Sequence, residues 1–195
     1  MVPTTAGLAG YPRELERLVT LRDGTPVGLR PIRSDDQSRL IELYDRLSRH
    51  TAYQRFFTVM RRLPPDWAKL LATVDYRRRL ALVAEHDGPQ GPELVAVGRY
   101  EPTDREDTAE VAFVVQDGWQ NRGLGTVLFK AVLQAAGARG IRRFVAYVLA
   151  DNPRMLDLIR RFADVEQSRL EQGVVEIVFT PPAQDAAGRP RTGTP

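Results

Sequence analysis

Two glycines in a short turn give the chain a backbone surface suited to an anion. Gly123 and Gly125 lie two residues apart, between an apolar segment at 111–115 and an amphipathic segment that continues to about 138. Glycine removes the side chain where a ligand must approach the main chain, and the amides of a first helical turn have no carbonyl partner within the helix. A phosphate or pyrophosphate group is the ligand that fits such a turn best.

The glycine spacing excludes two common phosphate-binding motifs. A P-loop requires G-x-x-x-x-G-K-[ST], but the spaced pair Gly118 and Gly123 is not followed by Lys and Ser or Thr. The dinucleotide-binding fingerprint requires a third glycine where this chain has Leu128. The segment 120–125, with the sequence QNRGLG, instead resembles the acyl-CoA signature of the GNAT N-acetyltransferases. The resemblance implies the GNAT fold, an α/β fold whose mixed, mostly antiparallel central sheet has splayed strands and is flanked by helices.

Further segments are similar to the catalytic domain of the bacterial Pat-type protein lysine acetyltransferases. In chain order they are 21–25 (LRDGT), 29–33 (LRPIR), 48–57 (ending in RFF), 74–76 (VDY), 109–113 (AEVAF), and Asn152 with Met155. The similarity covers residues 11–180. It implies an acetyl-CoA-dependent N-acetyltransferase that transfers the acetyl group directly to an amine, with the side chain of a protein lysine as the acceptor.

The resemblance also implies where acetyl-CoA binds. The backbone of Phe113, Val114 and Val115 corresponds to the strand segment that pairs with the pantetheine arm. The main-chain amides of the following turn would hold the pyrophosphate at the positive end of a helix dipole. That turn comprises Gln120, Asn121, Arg122, Gly123, Leu124, Gly125 and Thr126.

Three other side chains have two interpretations each. Arg122 either contacts a phosphate or is a solvated loop residue. Asn152 either contacts the cofactor or caps the helix that Pro153 begins. Arg160 either reaches the CoA phosphates or lies on a solvated helix face. No metal is implied by the resemblance.

Acetyl transfer to an amine requires a base, because the neutral form of lysine, whose reference pKa is about 10.4, is scarce near pH 7. A carboxylate can remove the proton directly or through a water molecule. Glu110 occupies the A-E-V-A-F context in which Pat-like enzymes carry their catalytic glutamate, so the resemblance implies that it is the base. A solvent-facing carboxylate on an edge strand is the competing interpretation, and Glu106 and Asp107 are the alternative bases. The tyrosine that many GNAT enzymes use as an acid is replaced by Ile159.

Composition restricts the remaining classes of function. The chain has 195 residues, which suits one domain, and it lacks cysteine, which excludes thiol nucleophiles and thiolate metal sites. Its net charge of +3 comes with arginine clusters that have no interleaved aromatic residues, a pattern that argues against nucleic acid. No segment approaches the roughly 20 apolar residues of a membrane span, and the first residues do not resemble a signal peptide. We therefore expect a cytoplasmic enzyme with no nucleic-acid or membrane partner.

The hydrophobic pattern predicts one α/β domain at 11–180 between disordered tails at 1–10 and 181–195. Strands are expected at 27–32, 80–85, 93–100, 110–115, 144–149 and 174–179, the last closing the sheet. Helices are expected from a Ser34 cap through Leu47, and at 52–57, 65–72, 123–138 and 152–162. This order of elements is the one that a GNAT domain requires.

Two other functions are compatible with the same turn. One is acetylation of a small amine or amino acid, and the other is non-catalytic binding of acyl-CoA, which Glu110 disfavours. For a protein acceptor, the arginines near the expected acceptor side predict a positive rim that favours acidic residues around the target lysine. They are Arg49, Arg55, Arg61, Arg62, Arg77, Arg78 and Arg79.

Overall fold

The computed structural model describes residues 10–89 and 91–182. Its strands are β1 (Arg17–Thr20), β2 (Pro26–Pro31), β3 (Leu80–Gly88), β4 (Gly91–Pro102), β5 (Thr108–Val115), β6 (Arg143–Leu149), β7 (Asp164–Glu171) and β8 (Val174–Thr180). Its helices are α1 (Gln37–Asp45), α2 (Arg49–Phe56), α3 (Pro65–Ala72), α4 (Leu124–Gly137) and α5 (Pro153–Phe162), with short 3-10 turns at Arg13–Leu15 and Asp117–Trp119. The predicted disordered tails fall almost wholly outside the described residues.

The eight strands form one sheet in the order β1-β2-β3-β4-β5-β6-β8-β7. Neighbouring strands are antiparallel except β5 and β6, which run parallel. This confirms the predicted α/β class with a mixed, mostly antiparallel sheet flanked by helices. The single parallel pair matters for function because the chain must cross over through α4 to form it.

Helices cover the two faces of the sheet with separate cores. The helices α1, α2 and α3 pack on one face over buried residues such as Ile32, Leu43 and Leu94. The other face carries α4 and α5, whose apolar sides bury Phe129 and Ile159 completely. Burying an apolar side chain of this size stabilises the fold by about 1.5–3 kcal/mol. Buried apolar residues therefore hold the helices to both faces of the sheet.

The first helix starts later than the predicted Ser34 cap. It begins at Gln37 with Asp36 as the preceding residue, and the Asp36 side chain makes no capping hydrogen bond. Both Asp36 carboxylate oxygens instead accept from the Arg30 guanidinium, at 2.7 and 2.8 Å. The capping-box prediction is therefore wrong, because the helix begins at Gln37 and the Asp36 carboxylate binds Arg30 instead of capping the helix.

Two strands were not predicted, and both lie at edges of the sheet. Every residue of β7 is exposed, and three of the four residues of β1 are exposed, so neither has the alternation of apolar and polar residues that marks a half-buried strand. The prediction that 174–179 closes the sheet is also wrong, since β7 pairs outside β8. Their strand geometry comes from hydrogen bonding to a neighbouring strand rather than from their own hydrophobic pattern.

Candidate active site

The parallel strands β5 and β6 separate soon after they meet. Their pairing is confined to Thr108–Glu110 on β5 and Arg143–Val145 on β6. Beyond Glu110, β5 continues to pair with β4 as far as Val115, and β6 continues to pair with β8 as far as Leu149. Backbone groups on the facing edges of both strands are therefore left without a strand partner, and an extended ligand can pair with them.

A cavity of about 640 Å³ lies at this splay. Its floor includes Glu110–Phe113 of β5 and Ala146–Val148 of β6, and α2, α3 and the start of α5 supply the walls. The walls are mainly apolar and aromatic, with Phe57, Trp67, Leu70 and Met155 among them. This volume and composition are typical of a small-molecule site with few polar groups.

Glu110 is the one carboxylate among the described residues that line this cavity. It is the last residue of β5 paired with β6, so its side chain lies where the two strands begin to diverge. Burial raises the pKa of Glu110, Arg55 opposes that increase, and Glu101 adds to it. The strand β5 is interior to the sheet, so the edge-strand part of the competing interpretation is wrong, whereas Glu110 is exposed, as that interpretation expects.

The two alternative carboxylates, Glu106 and Asp107, lie outside the cavity. The main-chain oxygen of Asp107 accepts from the amides of Arg142 and Arg143, and its side chain accepts from Thr108 Oγ1 at 3.0 Å. Neither Asp107 nor Glu106 lines the cavity. Of the three carboxylates that the sequence offers as a base, the cavity therefore includes Glu110 alone.

The turn before α4 has the left-handed geometry that its glycine provides. Asn121 has φ of 63°, and Gly123, the residue that precedes α4, has φ of 89°. Because the helix begins at Leu124, the amides of Leu124, Gly125 and Thr126 have no intrahelical acceptor and extend from the positive end of the helix. Free amides at the start of a helix suit a ligand with negatively charged oxygens.

The two glycines of this turn differ in their surroundings. A Cβ at Gly123 would lie 3.3 Å from Arg22 Nε, in a backbone conformation that side chains rarely adopt. A Cβ at Gly125 would meet only Val115 Cγ2, at 3.9 Å. Gly123 is thus required by the fold, whereas Gly125 leaves open space beside the free amides.

Side chains of the turn bind the protein itself. Gln120 Nε2 donates to the Val115 carbonyl at 3.0 Å, and Gln120 Oε1 accepts from Arg154 Nη1 at 2.6 Å. Arg122 pairs with Asp23 at 3.3 Å and lies over the Trp119 ring at 5.1 Å. These contacts fix the turn at the end of β5.

The apolar side chains of the expected pantetheine segment lie in the core. The Phe113 ring packs 5.4 Å from Phe129, and a Cβ at the cross-strand residue Gly98 would come within 2.7 Å of it. Val114 is buried on the opposite face, against the α1–α3 layer. The side chains of Phe113, Val114 and Val115 therefore anchor the strand. Their backbone pairs with β4 on one side, and on the side of the turn the Val115 carbonyl already accepts from Gln120 Nε2.

Comparison with known proteins identifies the family. The model described as the Acetyltransferase (GNAT) family matches residues 46–163. The chain belongs to the GNAT acetyltransferase family. The GNAT fold, the membership and the N-acetyltransferase activity predicted from sequence are confirmed, and acetyltransferases of this family use acetyl-CoA.

Three relatives of this GNAT enzyme show how far the similarity extends. An acetyltransferase of Pseudomonas aeruginosa is 31% identical over 140 residues, which are 71% of this chain and 75% of that protein. Acetyltransferase Pat of Mycolicibacterium smegmatis is 35% identical over 150 residues, 75% of this chain but 44% of that protein. The crystal structure of the GNAT domain of S. lividans PAT superposes with a TM-score of 0.78 at 36% identity, covering 87% of this chain and 99% of that one. The GNAT enzyme thus spans less than half of its M. smegmatis relative.

The remaining predicted positions of this GNAT enzyme, Asn152, Ile159 and Arg160, each have different surroundings. Asn152 lines the cavity and also caps α5, because its Oδ1 accepts from the Met155 amide at 3.2 Å. Arg160 is exposed and lies 3.7 Å from Asp157 on its own helix. Ile159, at the position where many GNAT enzymes have a tyrosine, is fully buried in the core.

The predicted positive rim is largely absent from the cavity of this GNAT enzyme. Of the seven arginines, Arg55 alone lines the cavity. Arg79 binds Glu101, Arg62 pairs with Asp45, and the segment Arg77–Arg79 leads into β3, two strands away from β5. The rim is instead apolar, since Phe57, Trp67 and Leu70 are 39%, 46% and 56% exposed.

Tyr147 is a cavity residue that the sequence analysis missed. It follows Val145, the partner of Glu110, by two residues, so both lie on the same face of β6. Burial raises the pKa of Tyr147, and Glu176 and Glu110 add to that increase. The two-residue alternation of β6 could have indicated the face, but not which strand lies beside it.

The described residues lack a metal-binding group and a membrane-spanning helix. Within residues 10–89 and 91–182, no group of three or more His, Asp or Glu side chains is placed to hold a metal ion. In the same part of the chain, no helix has both the length and the apolar character needed to cross a membrane.

Proposed function

We propose that this chain acetylates the side-chain amine of lysine in proteins, with acetyl-CoA as the donor and Glu110 as the base. The observation that carries the proposal is that Glu110 is the one carboxylate on the described cavity wall and lies where β5 and β6 separate. The Pat-type resemblance of the sequence and the relatives named Pat support the protein acceptor.

The donor would bind along the splay. Its diphosphate would contact the amides of Leu124, Gly125 and Thr126, and its pantetheine arm would pair with the backbone of Phe113–Val115. The thioester would then lie toward Glu110, at the closed end of the splay. Asn152, on the cavity wall, can donate a hydrogen bond from its side-chain amide N–H to acetyl-CoA while its Oδ1 caps α5. The exposed Arg160 remains a candidate for the outer CoA phosphates.

The chemical step would be direct transfer. Glu110 takes a proton from the acceptor ammonium, directly or through water, and the neutral nitrogen attacks the thioester carbon. The carbon–nitrogen bond forms, the carbon–sulfur bond breaks, and CoA leaves as a thiolate. The attacking nitrogen loses its second proton to the thiolate or to water, which gives the neutral amide. With a reference thiol pKa of about 8.5, this leaving group can depart without an acid, which agrees with the buried Ile159 at the usual tyrosine position. The proton on Glu110 then passes to the solvent or to the thiolate.

The apolar rim supports an acceptor larger than a free amino acid. Phe57, Trp67 and Leu70 present exposed apolar area beside the cavity, and residues flanking a lysine in a polypeptide can cover such area. Acetylation of a small amine is the alternative, and the free cation of Arg55 is the observation that favours it, since a guanidinium can bind the carboxylate of an amino acid.

Incubation with labelled acetyl-CoA distinguishes these acceptors. The acceptors are a panel of folded proteins, N-terminally blocked peptides with one lysine each, and free amino acids and amines, analysed by mass spectrometry. We expect the label on lysine side chains of proteins and its loss with Glu110→Gln. Labelling of small amines together with unlabelled proteins would replace the proposal with the small-molecule function.

A further inference from the structure

Arg55 is a cation inside the cavity that has no hydrogen bond or ion pair with any described residue. It lies in the last turn of α2, is half-buried, and lines both the main cavity and a smaller apolar one formed with residues such as Leu43 and Leu63. Burial lowers the pKa of Arg55 to about 10, Arg99 adds to the decrease, and Glu110 and Glu101 oppose it. Its guanidinium carbon lies 4.9 Å from the centroid of the neighbouring Phe56 ring, but no described anion binds it. Holding a guanidinium without an anionic partner in apolar surroundings is costly, so its position requires an explanation.

The charges around Glu110 come from three elements. From α2 comes Arg55, and from β4 comes Glu101, which is directly opposite Glu110. From β6 comes Tyr147, a neutral phenol at neutral pH. The described cavity residues of α3 and α5 carry no charge. Glu110 is exposed at the mouth of the cavity but is partly desolvated by the surrounding residues, and Arg55 is the cation on the described cavity wall that can offset this desolvation.

Glu101 interacts with this cation less strongly than Glu110 does, and two other arginines bind Glu101 directly. Arg79 Nε donates to Glu101 Oε2 at 2.5 Å, and Arg99 donates to Glu101 Oε1, with Nε at 2.9 Å. Arg99 is buried, and its Nη1 also donates to the Leu71 carbonyl at 3.2 Å. The Glu101 carboxylate is thus already paired with two arginines, and the charge of Arg55 acts chiefly on Glu110.

We propose that Arg55 is a positioning residue whose unpaired charge keeps Glu110 ionised in the apolar cavity until the acceptor ammonium arrives. The inference rests on the proposed function of Glu110 as the base. A carboxylate in apolar surroundings tends to take up a proton, and a nearby cation opposes this. Because Arg55 acts across space without a hydrogen bond, both Glu110 oxygens remain free for the acceptor.

The first test measures the ionisation of Glu110 without any acceptor. Carbon-13 NMR follows the glutamate carboxyl signals with pH, and the Glu110 signal is the one absent from Glu110→Gln. We expect its titration midpoint to move to higher pH in Arg55→Met and in Arg55→Gln, and to stay close to the wild-type value in Arg55→Lys. Arg49→Met, at an exposed position of the same helix, is the matched control and should leave the midpoint unchanged. An unchanged midpoint in both neutral Arg55 variants would overturn the inference.

The second test uses turnover with the acceptor that the wild type modifies. Arg55→Met should lower kcat at pH 7 by about tenfold and recover at higher pH, as expected when a cation near a carboxylate is lost. In the Glu110→Gln background, the same substitution should change kcat by less than about twofold, because the residue acts through Glu110. A raised KM with kcat unchanged at every pH would show instead that Arg55 binds the acceptor. If the wild type modifies no acceptor, the proposed function fails, while the NMR titration still decides the effect of Arg55 on Glu110.

Discussion

Glu101 and Glu110 lie directly opposite each other across the β4–β5 ladder. Side chains at such positions share a face of the sheet and are close neighbours, so two carboxylates there repel each other. The structure relieves this repulsion on one side only, because Arg79 and Arg99 bind Glu101 while Glu110 has no hydrogen bond with any described residue. One member of the pair is therefore structural, and the other is free for chemistry.

Replacing the proposed base should abolish most turnover without loss of donor binding. Glu110→Gln should lower kcat by about 10² to 10⁴ at pH 7, the usual contribution of a general base. Higher pH should restore part of the rate, because more of the acceptor amine is then already neutral. Steady-state kinetics and calorimetry with CoA check both statements, and Glu106→Gln is the control. Retention of most activity at pH 7 would remove Glu110 from the mechanism.

Neutralising the structural carboxylate should destabilise the protein. Glu101→Gln leaves the buried Arg99 guanidinium without its anionic partner, which should cost about 3–5 kcal/mol in the free energy of unfolding. Urea unfolding measures the change. Glu171→Gln, in the exposed pair with Arg169, should change the stability by less than about 1 kcal/mol. Equal effects of the two substitutions would contradict a structural role for Glu101.

Substitutions at Gly123 and Gly125, in the turn before α4, should distinguish an effect on folding from an effect on CoA binding. Gly123→Ala should lower the stability by about 1 kcal/mol or more, because it forces a side chain into a left-handed conformation beside Arg22. Gly125→Val has space in the free protein but should abolish CoA binding. Thermal unfolding and calorimetry with CoA distinguish the two effects, with Gly137→Ala in the same helix as the control. Normal CoA affinity of folded Gly125→Val would place the diphosphate elsewhere.

The Arg30–Asp36 ion pair should make the free energy of unfolding depend on pH in the acidic range. Burial would raise the pKa of Asp36, but hydrogen bonds from Arg30 and from the Arg33 amide outweigh burial and hold that pKa below its usual value. Its stabilisation is therefore complete above the unfolded pKa of about 3.9 and is lost as pH falls through the folded pKa.

Asp36→Asn tests this dependence directly. It should cost about 3–5 kcal/mol near neutral pH, because Arg30 is then buried without its bidentate partner. The difference in the free energy of unfolding between variant and wild type should stay constant from about pH 5 to about pH 8, because the carboxyl titrates below this range. It should shrink in stronger acid. Urea unfolding as a function of pH provides the measurement. A difference that grows toward acid would refute the assigned sign.

The apolar rim should affect the acceptor and not the donor. Trp67→Ala should raise KM for a protein acceptor by roughly tenfold, a typical result of truncating an aromatic contact residue, while acetyl-CoA affinity stays unchanged. Leu18→Ala, at a 74% exposed residue on β1, is the control. Equal KM values for the two variants would exclude Trp67 from acceptor recognition.

The sequence by itself determined the features that depend on near neighbours in the chain. Gly123 permits a left-handed backbone just before a helix, and Pro65 has the fixed φ that suits the first helical position. The starts of α4 and α3 could therefore be predicted closely. Glu110 could be proposed as the base because the residues around it match a family motif. These signals extend over a few residues and do not depend on the rest of the fold.

Only the tertiary structure decided which side chains surround Glu110. The short pairing of β5 with β6, the opposition of Glu101 and Glu110, and the positions of Arg55 and Tyr147 on the cavity wall each join segments far apart in sequence. The predicted positive rim was wrong for the same reason, because Arg62 and Arg79 pair with the carboxylates of Asp45 and Glu101, which the sequence pattern could not assign to them. Strand pairing is cooperative and depends on the whole sheet, so the local pattern of a strand predicts its faces but not its neighbours.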